Sequence, residues 1–165
     1  MKRLPLLQLL TNILFILVMA IIIFGIPCLA IAIIAPDNIP FTINGIAAED
    51  WGADSYIVFV SKLLTAGFWA YALYLFKTLL GHFKKQQVFH NKVIVLLDQT
   101  GKAILIGFAF DIVPEFLYDA ILLGDLNFEM NTYTFFVVML GLFFMVLSEV
   151  FVMAKGLKEE NDLTV

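Results

Sequence analysis

Four long apolar runs alternate with short polar segments, and each run is long enough to cross a bilayer. The first covers residues 4–35 behind Lys2 and Arg3, with Pro5 suited to a first helical turn. About thirty residues at 1.5 Å each exceed the hydrocarbon thickness, so Gly25 and Pro27 mark a kink, or the helix tilts or protrudes. Lys2-Arg3 plus an apolar run also resembles a secretory signal, with Ala30-Ile31-Ala32 as a faint cleavage site. The run is much longer than a signal core, and it reads as an uncleaved anchor. Further helices are expected over 56–80, 102–123 and 134–155. A second proline, Pro114, kinks the third.

The connections differ in character. The first outer loop, 36–55, carries Asp37, Glu49, Asp50 and Asp54 and no basic residue. Its Asn44-Gly45 pair signals either a tight hairpin or a small amphipathic turn resting on the bilayer. Trp51 and Tyr56 suit the membrane interface. The inner loop, 81–101, gathers Lys84, Lys85 and Lys92 with His82 and His90, interleaved with Val88, Phe89, Val93, Ile94, Leu96 and Leu97. That mixture predicts a short amphipathic helix lying in the headgroup plane. Asp98 or Thr100 would then cap the third helix. The second outer loop, 124–133, is again acidic, with Asp125 and Glu129. Residues 156–165 form a polar tail.

Composition agrees: 62% of the residues are hydrophobic and 15% charged, against about 25% charged in soluble domains. The expected fold is an all-α integral membrane protein, one domain over 1–165 with four transmembrane helices in an up-down bundle. Nine of ten basic residues fall at the termini or around the middle loop, and neither outer loop has any. The positive-inside rule puts both termini in the cytoplasm of a bacterial inner membrane. The net charge of −4 says little about partners, because the two signs are segregated by side. A single cysteine, Cys28, argues against a thiol-oxidising membrane enzyme.

Chemistry concentrates where charges enter the membrane. Asp111, Glu115, Tyr118 and Asp119 share one side of the third helix, and Lys62 on the second lies between the levels of Asp119 and Glu115. Either Lys62 snorkels to lipid headgroups or it pairs with one of these carboxylates. Glu149 on the fourth helix is a further intramembrane acid, about a turn or two below Asp111. Pro114 removes the hydrogen bond to the Phe110 carbonyl, and Gly107 lets a neighbour approach. Three readings stay open: a satisfied structural network, a pocket for a small amphipathic or cationic ligand, and a proton or ion path. No nucleophile–base pair, histidine cluster or phosphate-binding glycine loop points to catalysis. Nothing calls for a cofactor, a metal or direct nucleic-acid binding.

Two stretches carry a resemblance. They are Gln86-Gln87-Val88-Phe89-His90-Asn91 leading to Thr100-Gly101-Lys102-Ala103-Ile104, and the end of helix four with its Glu159-Glu160-Asn161-Asp162-Leu163-Thr164-Val165 tail. In these the chain resembles the YoaS-like family of small bacterial four-helix membrane proteins (domain of unknown function 2975). The family has no established activity. The resemblance implies a neighbouring gene for a very small helix-turn-helix repressor of the Cro/C1 type. It therefore implies a membrane protein that holds or releases a cytosolic regulator. On that view Lys84, Lys85, Phe89, His90, Asn91, Glu160, Asn161 and Asp162 face the partner. The competing expectation is a small ion- or proton-coupled transporter or channel subunit that uses the carboxylates directly. Beside the lipid bilayer, a second copy of the chain is a further candidate partner.

Overall fold

A computed structural model of the chain describes residues 3–39, 42–43, 46–118, 120–121 and 132–163. Four helices, α1 (Leu4–Ile34), α2 (Ala53–Lys84), α3 (Asn91–Tyr118) and α4 (Thr132–Leu163), are each long and apolar enough to cross a membrane. Two two-residue strands, β1 (Thr42–Ile43) and β2 (Ile46–Ala47), pair antiparallel in the register Thr42↔Ala47 and Ile43↔Ile46. The two strands flank Asn44 and Gly45 in the chain, two residues that lie outside the described set.

The helices run alternately up and down. Tyr56 meets Ala32, Lys62 meets Asp111 and Ser148 meets Ile94, so residue numbers rise on one helix as they fall on the next. α1 packs chiefly on α2, α2 on α3 and α3 on α4. Phe76–Phe144 and Phe83–Phe151 ring contacts close α4 back onto α2. The core is therefore a three-helix wedge of α2, α3 and α4, with α1 laid against its α2 edge. In the wedge Ala72, Ala103, Ile104 and Val137 form one buried cluster, and Leu79, Val93 and Leu97 form another. α1 keeps most of its Leu and Ile side chains outward, as a helix bathed in hydrocarbon can.

Helix ends follow local chemistry. Pro36 has no N–H, so the Ala32 carbonyl of α1 loses its helical donor. The Tyr56 hydroxyl donates to that carbonyl at 2.9 Å, and Trp51 sits edge-on to the Tyr56 ring 5.6 Å away. Replacing Tyr56 with phenylalanine orphans the carbonyl in an apolar setting. A loss of about 1 kcal/mol is expected, read as a lower midpoint in thermal unfolding in detergent. Pro27 and Pro114 lie inside α1 and α3 without ending either helix.

The inner half differs from expectation. α2 ends at Lys84 in a six-residue closure: Gln87 N–H donates to the His82 carbonyl, and Gln86 N–H to the Phe83 carbonyl. Gln86 holds the left-handed position with φ of 59°, where glycine is commoner. α3 begins at Asn91 rather than near 102. His90 Nδ1 accepts the Lys92 N–H at 3.1 Å and caps it, whereas the Thr100 hydroxyl turns back on the Leu96 carbonyl within the helix. Residues 91–101 are the first turns of α3, continuous with the rest of that helix, with Val93 and Leu97 buried. α4 runs on to Leu163 rather than stopping near 155. A Lys155–Glu159 pair one turn apart, at 3.2 Å, supports the extension.

Candidate functional site

At the α2–α3 seam, Lys62 Nζ lies 2.8 Å from Asp111 Oδ1 and 2.7 Å from Glu115 Oε1. The i,i+4 spacing of the two acids on α3 lets one ammonium bridge both. Asp111 is the most enclosed, with 17% of its side chain exposed, against 42% for both Lys62 and Glu115. The site thus opens toward the outer end of the helices and closes inward. One turn inward, Thr65 Oγ1 donates to the Gly107 carbonyl at 3.2 Å. A Cβ at Gly107 would come 2.9 Å from Phe68 Cβ, so this crossing needs glycine to bring α2 and α3 together. Phe68 and Phe110 stack at 5.5 Å above it.

The depth of the site follows from α2. Tyr56 and Lys77 are 21 residues apart, about 32 Å, close to one hydrocarbon thickness. Lys62 lies six residues inside Tyr56, about 9 Å along the α2 axis. Two carboxylates against one ammonium leave the cluster formally at −1 when both acids are ionised. Such a group can hold a second small cation or a proton.

Of the residues expected at this site, the structure joins Lys62, Asp111 and Glu115. Asp119 lies outside the described residues, and only the backbone of Tyr118 is described. Glu149 is not part of the site. It is exposed beside Ser148, whose hydroxyl donates to the Ile94 carbonyl at 2.9 Å. Ile94 is 17 residues from Asp111 along α3, about 25 Å away. The expectation that Glu149 sits a turn or two below Asp111 assumed a shorter inner half of α3. Tyr133, at the start of α4, lies within electrostatic range of both Lys62 and Asp111 and went unread. Its only sequence signal is an interfacial tyrosine opening the fourth run.

On one flank of the seam, a groove of about 360 Å³ is lined by Tyr56, Ile57, Val60, Leu64, Phe110 and Pro114. It is apolar and open on one side.

The inner end gathers a second group. Lys155 Nζ donates to Asn91 Oδ1 at 2.6 Å, tying α4 to the start of α3. Lys158 Nζ stands 5.5 Å over the Phe89 ring, and Phe89 also meets Phe151. His82 and His90 stack at 5.9 Å, with His82 Nδ1 3.1 Å from Gln87 Oε1. Lys84, Lys85, Phe89, His90, Asn91, Glu160, Asn161 and Asp162 are all exposed at this end.

A family model described as a protein of unknown function (DUF2975) matches residues 12–165. No curated protein and no solved structure matches the chain.

Proposed function

This chain belongs to the DUF2975 family, and from that premise we propose a non-enzymatic regulatory membrane protein that holds a small cytosolic helix-turn-helix regulator. One observation carries the reading. α4 does not stop near residue 155 but continues as a helix through Glu159, Glu160 and Asp162, all exposed. It is pinned at its root by Lys155–Asn91 and by Lys158 over Phe89. A rigid acidic helix rooted in a bundle suits a basic DNA-binding surface, because it offers carboxylates in place of phosphates. The bacterial inner membrane, with both termini cytoplasmic, is the setting that the basic inner loop supports.

The Lys62–Asp111–Glu115 cluster supplies the signal end. A membrane-borne amphipathic cation could place its charge on the carboxylates and its apolar body in the flanking groove. Binding would change the α2–α3 seam, and α3 carries that change to Asn91 at the root of the acidic helix. A transport role is the weaker reading: the charged side chains of this cluster come from α2 and α3 alone, and α1 carries no charged residue over 4–34.

Deleting residues 159–165 leaves the Lys155–Asn91 tie and the whole bundle in place. The regulator should move from the membrane fraction to the cytosol while the unfolding midpoint of the membrane protein stays within a degree or so. A regulator still held at the membrane by the truncated chain contradicts the proposal.

A further inference from the structure

A cavity of about 480 Å³ opens where the first turns of α1 meet the last turn of α2 and the chain that follows it. Its lining is mixed. Gln8, Lys84 and Gln86 bring polar heads to it, and Leu4, Phe83 and Val88 bring apolar surface. Among the described residues, the side chains of Gln8, Lys84 and Gln86 have no hydrogen bond or ion pair. Other lysines are engaged: Lys62, Lys102 and Lys155 sit on carboxylates, and Lys77 and Lys158 lie over aromatic rings.

The charge here has one sign. Lys84 is the one charged residue among the described lining, and neither 1–36 nor 55–97 contains an acid. The start of α1 adds to the same sign, because Leu4 and Pro5 line the cavity and no side chain caps that helix. Gln86 stands at φ of 59°, where glycine would be the easier residue, and its amide reaches the cavity wall.

Helix length sets the level. α1 has 31 residues and α2 has 32, about 46 and 48 Å long, against a hydrocarbon core of about 30 Å. Helices that cross such a core carry their shared end, with Leu4 and Lys84, to the headgroup layer.

We propose that this cavity is a phosphate site that takes the phosphodiester of an anionic phospholipid. One ammonium matches the single negative charge of a phosphodiester, and two side-chain amides can donate to its free oxygens. Leu4, Phe83 and Val88 suit the glycerol backbone and the first methylenes of the acyl chains. The described lining offers no carboxylate to a headgroup ammonium, so an anionic lipid gains more here than a zwitterionic one.

The test uses full-length protein in vesicles of equal phosphatidylglycerol and phosphatidylethanolamine. The protein is released into mild detergent, and bound phospholipid is read by native mass spectrometry. The wild type should keep the anionic lipid about fivefold over the zwitterionic one. Lys84→Gln should abolish that preference. Lys92→Gln makes the same charge change on α3, outside the cavity lining, and should keep it. Gln86→Gly should cut retention about threefold while the unfolding midpoint holds or rises, because glycine suits the backbone and only the amide is lost. That variant decides alone if Lys84→Gln is not recovered from the membrane. Inorganic phosphate in millimolar excess should leave the bound lipid in place. Displacement by inorganic phosphate, or a wild type that keeps neither lipid over the other, overturns the proposal. So does an equal loss in Lys84→Gln and Lys92→Gln, which would be the mark of diffuse surface charge.

Discussion

Replacing Lys62 with methionine is expected to cost about 2 kcal/mol of stability, more than any other single charge removal in the outer half of the bundle. The substitution keeps the length and apolar body of the side chain and removes only the ammonium. Asp111 and Glu115, both within 2.8 Å of that ammonium, are then left as two acids with their shared cation gone. Breaking a fully buried pair costs about 3–5 kcal/mol. The lower figure applies here because Lys62 and Glu115 are each 42% exposed and part of the lost interaction is screened. Adding Asp111→Asn and Glu115→Gln to Lys62→Met removes the unbalanced charge and should recover most of the loss. Thermal unfolding in one detergent, across the single and triple variants, reads the difference. Equal midpoints for the two would show that the cluster contributes no mutual stabilisation.

Gly101→Leu should be more damaging still, at about 3 kcal/mol, and should loosen the inner half of the bundle selectively. A Cβ at Gly101 would lie 2.5 Å from the Gly141 carbonyl oxygen and 2.7 Å from Met145 Cγ. The first of these is backbone and cannot turn aside, so α3 and α4 must separate. The Ser148–Ile94 and Lys155–Asn91 hydrogen bonds lie on the same seam and would lengthen with it. Gly67 on α2 is the control: a Cβ there meets nothing within 4 Å, so Gly67→Leu keeps the packing and gains helix propensity. Unfolding midpoints should fall for Gly101→Leu and hold or rise for Gly67→Leu. Hydrogen exchange should speed up first in the helical turns after Asn91.

The outer half of this molecule was legible in its sequence because its signals are local. Asn44-Gly45 lies between paired strands, and Trp51 and Tyr56 beside the acidic loop pack together at the end of α1. A lysine facing two carboxylates of spacing four on the next helix leaves few ways to pair. The inner half was not legible, because there the helix ends depend on tertiary contacts. Gly81 looks like a terminating glycine, yet α2 passes through it and Gln86 takes the left-handed position. The amphipathic pattern over 91–101 fits a surface helix and equally a helix with its apolar side on neighbours. Burial of Val93 and Leu97 beside Phe76, Phe83 and Phe151 decided for the second. That shift moved Asp98 from the inner loop, and Lys102 from the first position of a helix, into the body of α3, and it moved Glu149 far from Asp111. The Gly101–Gly141 crossing has no periodic motif on either helix, so only the register revealed it.

The central claim is that the acidic end of α4 holds a cytosolic regulator. The most direct measurement places a photo-crosslinking amino acid at Asp162 in the full-length chain in its native host, with the same probe at lipid-facing Val146 as a reference. The captured species are then identified by mass. The account predicts a small basic helix-turn-helix protein from position 162 and none from 146. Only lipid, or only a second copy of this chain, from position 162 would contradict it.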